Sequence, residues 1–326
     1  MVTSKKILQS IPLSLQSVDI PSLGKKSSGK VRDYYILNDK RVIITTDRQS
    51  AFDVILGCIP FKGAVLNLLS AFWFEKTKDI VPNHIISIPD PNVTISKEAE
   101  LIPIEMVIRG YISGVTNTSI WGSYEKGERI IYGIKFPDGL RKNQKLPEPV
   151  ITPTTKALKG HDERLTEKEI LQKKIVSPKI WKQMKEATLA LFERGIKICA
   201  KAGIILVDTK YEFGLLDGKL ILIDELHTPD GSRFWIKKTY KGRFEKRQEP
   251  ENFDKEFLRL WYAKKGYKGD GEPPKMSKQL IVDLSQRYIS IYEKITGKKF
   301  PSVKYPMGER IKDNLGKVLL KDSKLV

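Results

Sequence analysis

The sequence contains only two cysteines and three histidines among its 326 residues. Cys58 and Cys199 lie in apolar surroundings without the spacing of metal ligands, so we expect buried thiols rather than a disulfide. No segment approaches the roughly 20 apolar residues that span a bilayer, and the N-terminal stretch lacks the apolar core and cleavage site of a signal peptide. These absences predict a cytoplasmic protein without a membrane partner.

Acidic residues are scarce relative to basic ones. The chain has 58 lysines and arginines against 39 aspartates and glutamates, a formal net charge of +19. Nucleic acid is the first partner to consider for such a charge. The basic residues are spread over the whole chain, without an arginine-rich arm or a nucleic-acid-binding motif. We therefore expect no nucleic-acid partner and favour small polyanions such as nucleotides and sugar phosphates; an RNA-binding protein is the third interpretation.

The composition is that of a folded protein with a substantial core. A hydrophobic share of 40% argues against disorder, and 326 residues allow two domains or one domain with an appendage. Several prolines between Val81 and Ile104 suit a boundary between two lobes. Apolar residues at helical spacing predict a helix around 66–73, a long helix capped by Ser177, and mostly helices after Trp235.

Residues 203–235 predict a β-hairpin with charged residues at regular intervals. Two apolar, β-branched runs flank an Asp-Gly turn signal at 217–218. Asp208, Lys210 and Glu212 occupy alternate positions, so the two-residue period of a strand places all three on one face. The apolar runs that lead into these charges favour a covered sheet, where an unpaired carboxylate would be costly.

The pairing of Glu212 with Asp224, which follows the second run, depends on the turn. A three-residue loop at 217–219, or a bulge near Gly214, would place the two carboxylates directly opposite each other, whereas a regular two-residue turn would put them on opposite faces. Two facing carboxylates beside a lysine indicate a divalent metal that carries a nucleotide phosphate. The alternative is the solvated outer face of an antiparallel strand.

The stretch 24–47 comes close to a phosphate-binding loop. Gly24, Gly29 and Lys30 have the right spacing, but Val31 stands where such a loop needs serine or threonine, and strands follow instead of a helix. A glycine-rich hairpin can still close over a nucleotide, with Lys30 or Arg32 facing the phosphates, as in protein kinases. The alternative is a plain edge hairpin with basic residues on its surface.

Three further stretches supply candidates. Ser50 and Asp53 belong to a polar cluster and could be catalytic, although such residues more often cap an element. Arg109 ends a predicted strand above a glycine turn and is well placed for a phosphate or carboxylate, although a lone arginine is usually a surface residue. The long proline- and threonine-rich loop around Lys156 and His161 is typical of a lid.

Seven strings together resemble the SAICAR synthetase (phosphoribosylaminoimidazole-succinocarboxamide synthase) family. They are SGKVRD, TDRQSAFD, PFKGAVLN, VIRGYISG, TPTTKALKGHDE, GIILVDTKYEFG and IDELHTPDGSRFW. The likeness extends from about residue 20 to about residue 305 and includes the C-terminal helices of the longer family members. Seven strings in the same order and spacing make chance similarity improbable.

The resemblance implies an ATP-dependent ligase of purine biosynthesis that joins carboxyaminoimidazole ribonucleotide to L-aspartate through an acyl phosphate, with Mg²⁺. It also implies an α+β fold of two lobes, related to kinase and ATP-grasp nucleotide folds, with ATP between the lobes. We expect an N-terminal lobe over residues 1–104, a larger lobe over 105–250 and a helical segment over 251–326, in a monomer or homodimer. A kinase-like phosphotransferase is the alternative, but the kinase HRD and DFG strings are missing.

Matching motif positions carries the family's site residues onto this chain. The resemblance implies nucleotide contacts by Gly29, Lys30, Val31, Arg32, Lys156, Glu212 and Asp224, with Mg²⁺ on Glu212 and Asp224. It implies substrate contacts by Ser50, Asp53, Arg109, Asp208, Lys210 and Arg233, and catalytic roles for Lys156, Asp208 and Lys210. Val115 departs from the serine of many relatives, so Ser113 or Thr116 would have to replace that hydroxyl. Adenine is expected against the backbone near Leu101–Ile104.

Overall fold

The computed structural model describes residues 2–114, 118–156 and 162–319. Its helices are α1 (Ser4–Ser10), α2 (Lys62–Thr77), α3 (Ile120–Glu125), α4 (Glu167–Gln172), α5 (Pro178–Lys201), α6 (Lys237–Glu245), α7 (Glu256–Lys264), α8 (Lys278–Thr296) and α9 (Met307–Leu319). Its strands are β1 (Ser27–Ser28), β2 (Arg32–Leu37), β3 (Lys40–Thr45), β4 (Arg48–Ala51), β5 (Val54–Cys58), β6 (Ile85–Asp90), β7 (Val93–Lys97), β8 (Glu100–Ile112), β9 (Ile130–Ile131), β10 (Ile134–Lys135), β11 (Gln144–Ile151), β12 (Thr154–Thr155), β13 (Ile204–Leu216), β14 (Lys219–Ile223) and β15 (Ser232–Ile236). Within these residues, every helix is too short or too polar to cross a membrane.

The first sheet is antiparallel, with the strand order β1-β2-β3-β7-β6. The hairpin predicted from the stretch 24–47 is confirmed, because β2 and β3 pair around a two-residue turn at 38–39. Asn38 has a φ of 53°, a left-handed conformation that asparagine tolerates. Alternate residues of β3, Val42 and Ile44, are fully buried in the core that also contains the apolar face of α2.

The second sheet is built around β13. Strand β8 pairs along one edge of β13, and β14 and β15 share the other edge. Strands β11 and β12 pair with β8. The first strand of the hairpin predicted at 203–235 is therefore the central strand of a six-stranded sheet. Asp208 and Glu212 on β13 are only 6% and 3% exposed, so the alternative of a solvated outer face is wrong.

The hairpin turn at 217–218 has two residues. Leu216 pairs with Lys219, and the register continues without a shift to Glu212, which lies opposite Ile223. The expected cross-strand pairing of Glu212 with Asp224 is therefore wrong. Asp217 and Gly218 both have positive φ, 51° and 71°, and such values close a tight two-residue turn. The register shift near Gly214 affects only the pairing with β8.

Helix α5 packs against the second sheet. Its predicted start is confirmed, because the Ser177 hydroxyl accepts a hydrogen bond from the Ile180 N–H and Pro178 is the first helical residue. Its apolar face, which includes Leu191 and Phe192, is buried in the main core. Each such side chain contributes about 1.5–3 kcal/mol to folding through burial. Both cysteines are free; Cys199 on α5 is buried as expected, whereas Cys58 is only half-buried.

Gly195 lets α5 approach its neighbours closely. A Cβ built at this glycine would lie 2.7 Å from both Leu206 Cδ2 and His227 Cε1. Gly195→Ala is therefore expected to lower the free energy of unfolding by about 1–3 kcal/mol, the usual cost of overpacking. In Gly242→Ala, the matched change in α6, the new Cβ meets nothing within 4 Å. That control is expected to gain about 0.5–1 kcal/mol. Denaturant unfolding measures both, and a stabilised Gly195→Ala variant would contradict the packing described.

Candidate active site

A cavity of about 550 Å³ opens between the two sheets. Its walls come from the turn before β2, from β3, from β8 and β13, and from the segment after β14. Most of the predicted site residues line it: Gly29, Lys30, Val31, Arg32, Ser50, Asp53, Lys156, Lys210, Glu212 and Asp224. Val115, Thr116 and His161 lie outside the described residues. Ser113 is described, and its hydroxyl donates to Asn143 Oδ1 at 2.8 Å.

Arg48 holds the glycine-rich turn in shape. Its guanidinium donates to the carbonyl oxygens of Gly29 at 3.0 Å and Lys30 at 3.1 Å, and it pairs with Asp33 at 2.8 Å. The Gly29 N–H closes the turn by donating to the Arg32 carbonyl oxygen at 2.8 Å. Sequence reasoning missed this role of Arg48, although the residue stands in the string TDRQSAFD.

Arg32 links the two sheets. From β2 it reaches the carboxylates of Asp224 and Glu225, and its Nη2 lies 2.9 Å from Glu225 Oε2. Asp224 follows β14 with a φ of 66°, which turns the chain out of the strand direction. Burial raises the pKa of the Asp224 carboxyl, but Arg32, Lys156 and Lys210 together hold it well below its usual range. Asp224 is therefore ionised beside three cations.

Glu105 and Glu212 are paired across β8 and β13, and Lys210 binds both. The Lys210 ammonium donates to Glu105 Oε1 at 2.6 Å and to Glu212 Oε1 at 3.0 Å, while Lys156 contacts Glu212 from its loop. Burial opposes the charge of Lys210, but Glu105 and Asp224 outweigh it and raise the pKa of the ammonium. Sequence reasoning missed Glu105; the signal available was an acidic residue inside the apolar run IPIEMVI.

The donor set of the cavity fits a magnesium ion that arrives with a nucleotide. Within residues 2–114, 118–156 and 162–319, no group of three or more acidic, histidine or cysteine side chains forms a complete metal cage. Glu212 and Asp224 nevertheless offer carboxylate oxygens to the same cavity. Mg²⁺ usually takes one or two protein carboxylates and completes its shell with water and phosphate oxygens. Two carboxylates are therefore sufficient for this kind of site.

Part of the cavity lining is apolar. Ile43, Leu101 and Ile223 line it together with His84. Burial lowers the pKa of His84 to about 4, so its imidazole is neutral at physiological pH. Leu101 belongs to the segment whose backbone is expected to contact adenine. This lining suits a flat, uncharged ring better than it suits a phosphate.

Arg109, Asp208 and Arg233 do not line this cavity; they form a separate arginine cluster across three neighbouring strands of the second sheet. Asp208 on β13 is the direct partner of Arg109 on β8 and of Arg233 on β15, so an arginine flanks the carboxylate on either side. Arg233 donates to Asp208, and Arg109 Nη1 lies 3.5 Å from it. Asp208 and Lys210 are two positions apart, about 7 Å along a strand. The arginine cluster therefore adjoins the cavity.

The arginine cluster carries surplus positive charge. Its two guanidinium groups share the Asp208 carboxylate, while Glu256, 3.9 Å from Arg233 Nε, is shared with Arg259 at 3.3 Å. Arg233 Nε is buried without a hydrogen-bond acceptor in the described part of the chain. Gly114 keeps space beside it, because a Cβ there would lie 2.9 Å from Arg233 Nη2. Buried surplus charge and an unsatisfied donor indicate an anion site.

Sequence reasoning also missed a group of buried residues at another wall of the cavity. Asp230 and Lys255 line the cavity, and Lys62 contacts Asp230 from α2. Lys62 and Asp230 lie in the strings PFKGAVLN and IDELHTPDGSRFW, so their signal was present in the sequence without a role attached. Lys255 lies outside all seven strings.

Comparison with known proteins identifies the same family that the seven sequence strings resemble. The sequence profile of the SAICAR synthetase family matches residues 25–276. A phosphoribosylaminoimidazole-succinocarboxamide synthase of Legionella pneumophila (strain Paris) is 50% identical over 310 residues, which cover 94% of this chain and 98% of the relative. The chloroplastic enzyme of Arabidopsis thaliana with the same name is 47% identical over 304 residues, 92% of this chain and 74% of the relative.

Solved structures share the fold. A SAICAR synthase from Saccharomyces cerevisiae, in complex with SAICAR, superimposes with a TM-score of 0.77 and 30% identity, covering 89% of this chain and all (100%) of the neighbour. A SAICAR synthetase in complex with ADP superimposes with a TM-score of 0.65 and 26% identity, covering 85% of this chain and 100% of the neighbour. The mixed arrangement of helices and sheets is therefore that of known SAICAR synthases. By sequence and by structure, the chain belongs to the SAICAR synthetase family.

Proposed function

We propose that ATP binds in the cavity between the two sheets, with its phosphates against residues 29–32 and its base along the apolar lining near Leu101. As a member of the SAICAR synthetase family, the protein catalyses the ATP-dependent joining of carboxyaminoimidazole ribonucleotide and L-aspartate to form SAICAR in purine biosynthesis. The observation that supports the site most strongly is that Arg32, Lys156 and Lys210 surround one cavity together with carboxylates. The neighbour in complex with ADP supports the use of a nucleotide.

Glu212 and Asp224 are the residues that would hold Mg²⁺. Glu212 is paired with Lys156 and Lys210, and Asp224 with Arg32. When the ion and nucleotide enter, these cations can turn from the carboxylates to the phosphate oxygens, because both kinds of oxygen satisfy the same donors. The bound ion supplies charge neutralisation at the phosphates.

The ribonucleotide is proposed to place its phosphate at the arginine cluster. Arg109 and Arg233 supply the fork-shaped donors that bind phosphate in pairs, and Asp208 between them keeps both side chains in place. Lys210, about 7 Å farther along β13, would then face the carboxylate of the imidazole ring. In this arrangement the carboxylate to be activated lies between the arginine cluster and the ATP phosphates.

The chemistry proposed for the site has two steps. A carboxylate oxygen of the ribonucleotide attacks the terminal phosphorus of ATP, so that an acyl phosphate forms and ADP leaves. The amine nitrogen of L-aspartate then attacks the acyl carbon; the C–N bond forms, phosphate leaves and a proton is released. Lys156 and Lys210 contribute positive charge near the transferred phosphoryl group, and the protein's main contribution is positioning.

We also propose a division into residues 1–104, 105–250 and 251–326, kinship with kinase and ATP-grasp folds, a cytoplasmic location, and a monomeric or homodimeric state. Strand β8 runs from Glu100 to Ile112 across the first boundary, so the two lobes would share this strand.

The proposed function is tested by the release of ADP from purified protein. The assay contains Mg²⁺, ATP, the ribonucleotide and L-aspartate, and each component is omitted in turn. Sustained ADP release is expected only from the complete mixture, because the acyl phosphate accumulates no further than one turnover without the amine. ADP release that needs neither the ribonucleotide nor L-aspartate would contradict the ligase.

A further inference from the structure

Asp230 is a buried carboxylate that receives three donors. Lys62 Nζ lies 2.8 Å and Lys255 Nζ lies 3.0 Å from its Oδ2, and the Tyr288 hydroxyl donates to its Oδ1 at 2.6 Å. Burial raises the pKa of Asp230, but Lys255 and Lys62 outweigh burial and hold it below its usual range. Asp230 is therefore ionised, and its donors are fixed around it.

The two lysines bring one more charge than the carboxylate that they share. Lys62 is fully buried and also donates to the Arg48 carbonyl oxygen at 2.9 Å. Lys255 is 13% exposed and lines the cavity. The nearby Glu225 carboxylate pairs with Arg32 at 2.9 Å and accepts a hydrogen bond at 2.6 Å from the hydroxyl of the threonine three residues later. Of the two ammonium groups, that of Lys255 therefore faces the cavity, where an anion would give it a further partner.

Lys255 stands where the cavity meets the arginine cluster. The preceding residue, Asp254, accepts a hydrogen bond from the Phe234 N–H at 2.8 Å, and the following residue, Glu256, lies 3.9 Å from Arg233 Nε. These contacts fix the backbone on both sides of Lys255 against β15. The ammonium is therefore presented at the boundary between the proposed ATP and ribonucleotide sites.

We propose that the Lys255 ammonium binds a substrate carboxylate at this boundary, and that Tyr288 is a positioning residue that holds Lys255 there through Asp230. The inference rests on the proposed function, since the anion that Lys255 binds is assumed to be L-aspartate or the ribonucleotide. Tyr288 lies on α8, beyond residues 25–276 matched by the family profile. Its ring lies beneath the Lys62 ammonium, 5.7 Å from Nζ to the centroid, so it holds Asp230 and Lys62 together.

Tyr288→Phe tests the positioning role because it removes only the hydroxyl. The KM of each substrate is measured with the other two saturating. Loss of a charge-assisted hydrogen bond is expected to raise the KM of one acidic substrate about 10-fold, while the KM of ATP changes less than about twofold. A selective rise for L-aspartate or for the ribonucleotide identifies which carboxylate Lys255 binds.

Tyr262→Phe is the matched control. The Tyr262 hydroxyl on α7 is buried and has no hydrogen-bond partner among residues 2–114, 118–156 and 162–319. Its removal is expected to leave all three KM values within about twofold. A Tyr288→Phe variant that matches this control, or that raises all three KM values equally, would overturn the positioning role.

Lys255→Met keeps the aliphatic stem and removes the charge. It is expected to raise the same KM by about 10-fold or more, and the double variant with Tyr288→Phe is expected to be no worse, because both changes act on one contact. Additive losses would show that Tyr288 acts elsewhere. Failure of the proposed function has a different signature, since the parent chain would then release no ADP that depends on both acidic substrates.

Discussion

Asp224→Asn is expected to lower kcat/KM about 100- to 1,000-fold, because it removes charge where the ATP phosphates and the metal ion are proposed to bind. The shape of the side chain is kept, and asparagine tolerates the φ of 66° that Asp224 adopts. Arg32 retains Glu225 as an ion-pair partner, so the link between the sheets persists. Steady-state kinetics measure the loss, and circular dichroism is expected to show an unchanged fold.

Asp217→Asn is the control for that loss. Asp217 lies in the exposed turn of the same hairpin and also has a positive φ, 51°. The same chemical change there is expected to leave kcat/KM within about twofold of the parent value. Near-normal activity of Asp224→Asn would refute its place at the metal-nucleotide site. Equal losses in both variants would instead indicate damage to the hairpin.

The local elements of the fold could be predicted because each depends on residues close in sequence. The Asn-Asp turn at 38–39, the cap at Ser177 and the strand period around Lys210 all belong to this class. The position of Asp224 does not. Its strand register excludes a direct pairing with Glu212, and only a left-handed residue just past β14 brings its carboxylate to the same cavity. Periodicity carries no information about such a turn of the chain.

Contacts between residues that are distant in sequence could not be predicted, for a related reason. Glu105 contacts Lys210 across 105 positions of sequence, and Tyr288 contacts Asp230 across 58. Single residues at such separations have no spacing to detect. Strings matched to a family point only to residues inside the strings, which is why Arg109 and Arg233 were candidates from the sequence and Lys255 was not.

The two groups of basic residues have separate surroundings, so their functions should separate as well. Lys156 and Lys210 pair with carboxylates in the cavity, whereas Arg109 and Arg233 enclose Asp208 next to it. If both groups bound the same ligand, a substitution in either group would weaken the binding of that ligand. The separation predicts that substitutions in the arginine cluster weaken ribonucleotide binding and keep ATP binding.

Arg233→Ala is expected to weaken binding of the ribonucleotide about 100-fold or more while changing ATP affinity less than about threefold. The substitution removes a buried fork of donors beside Gly114 and leaves Asp208 with Arg109 alone. The surplus positive charge that attracts the phosphate is then lost. Calorimetric titration of the parent and variant with each ligand separately measures the two affinities.

Two further variants make this expectation specific. Arg233→Lys keeps the charge that balances the Asp208 carboxylate but loses the paired donors, and it is expected to weaken ribonucleotide binding about 10-fold with the fold retained. Arg194→Ala removes a partly exposed arginine that pairs with Asp79 at 2.8 Å, and it is expected to change neither affinity. Equal losses for the ribonucleotide and ATP in Arg233→Ala would contradict the separation of the arginine cluster from the nucleotide cavity, because Arg233 would then support both sites.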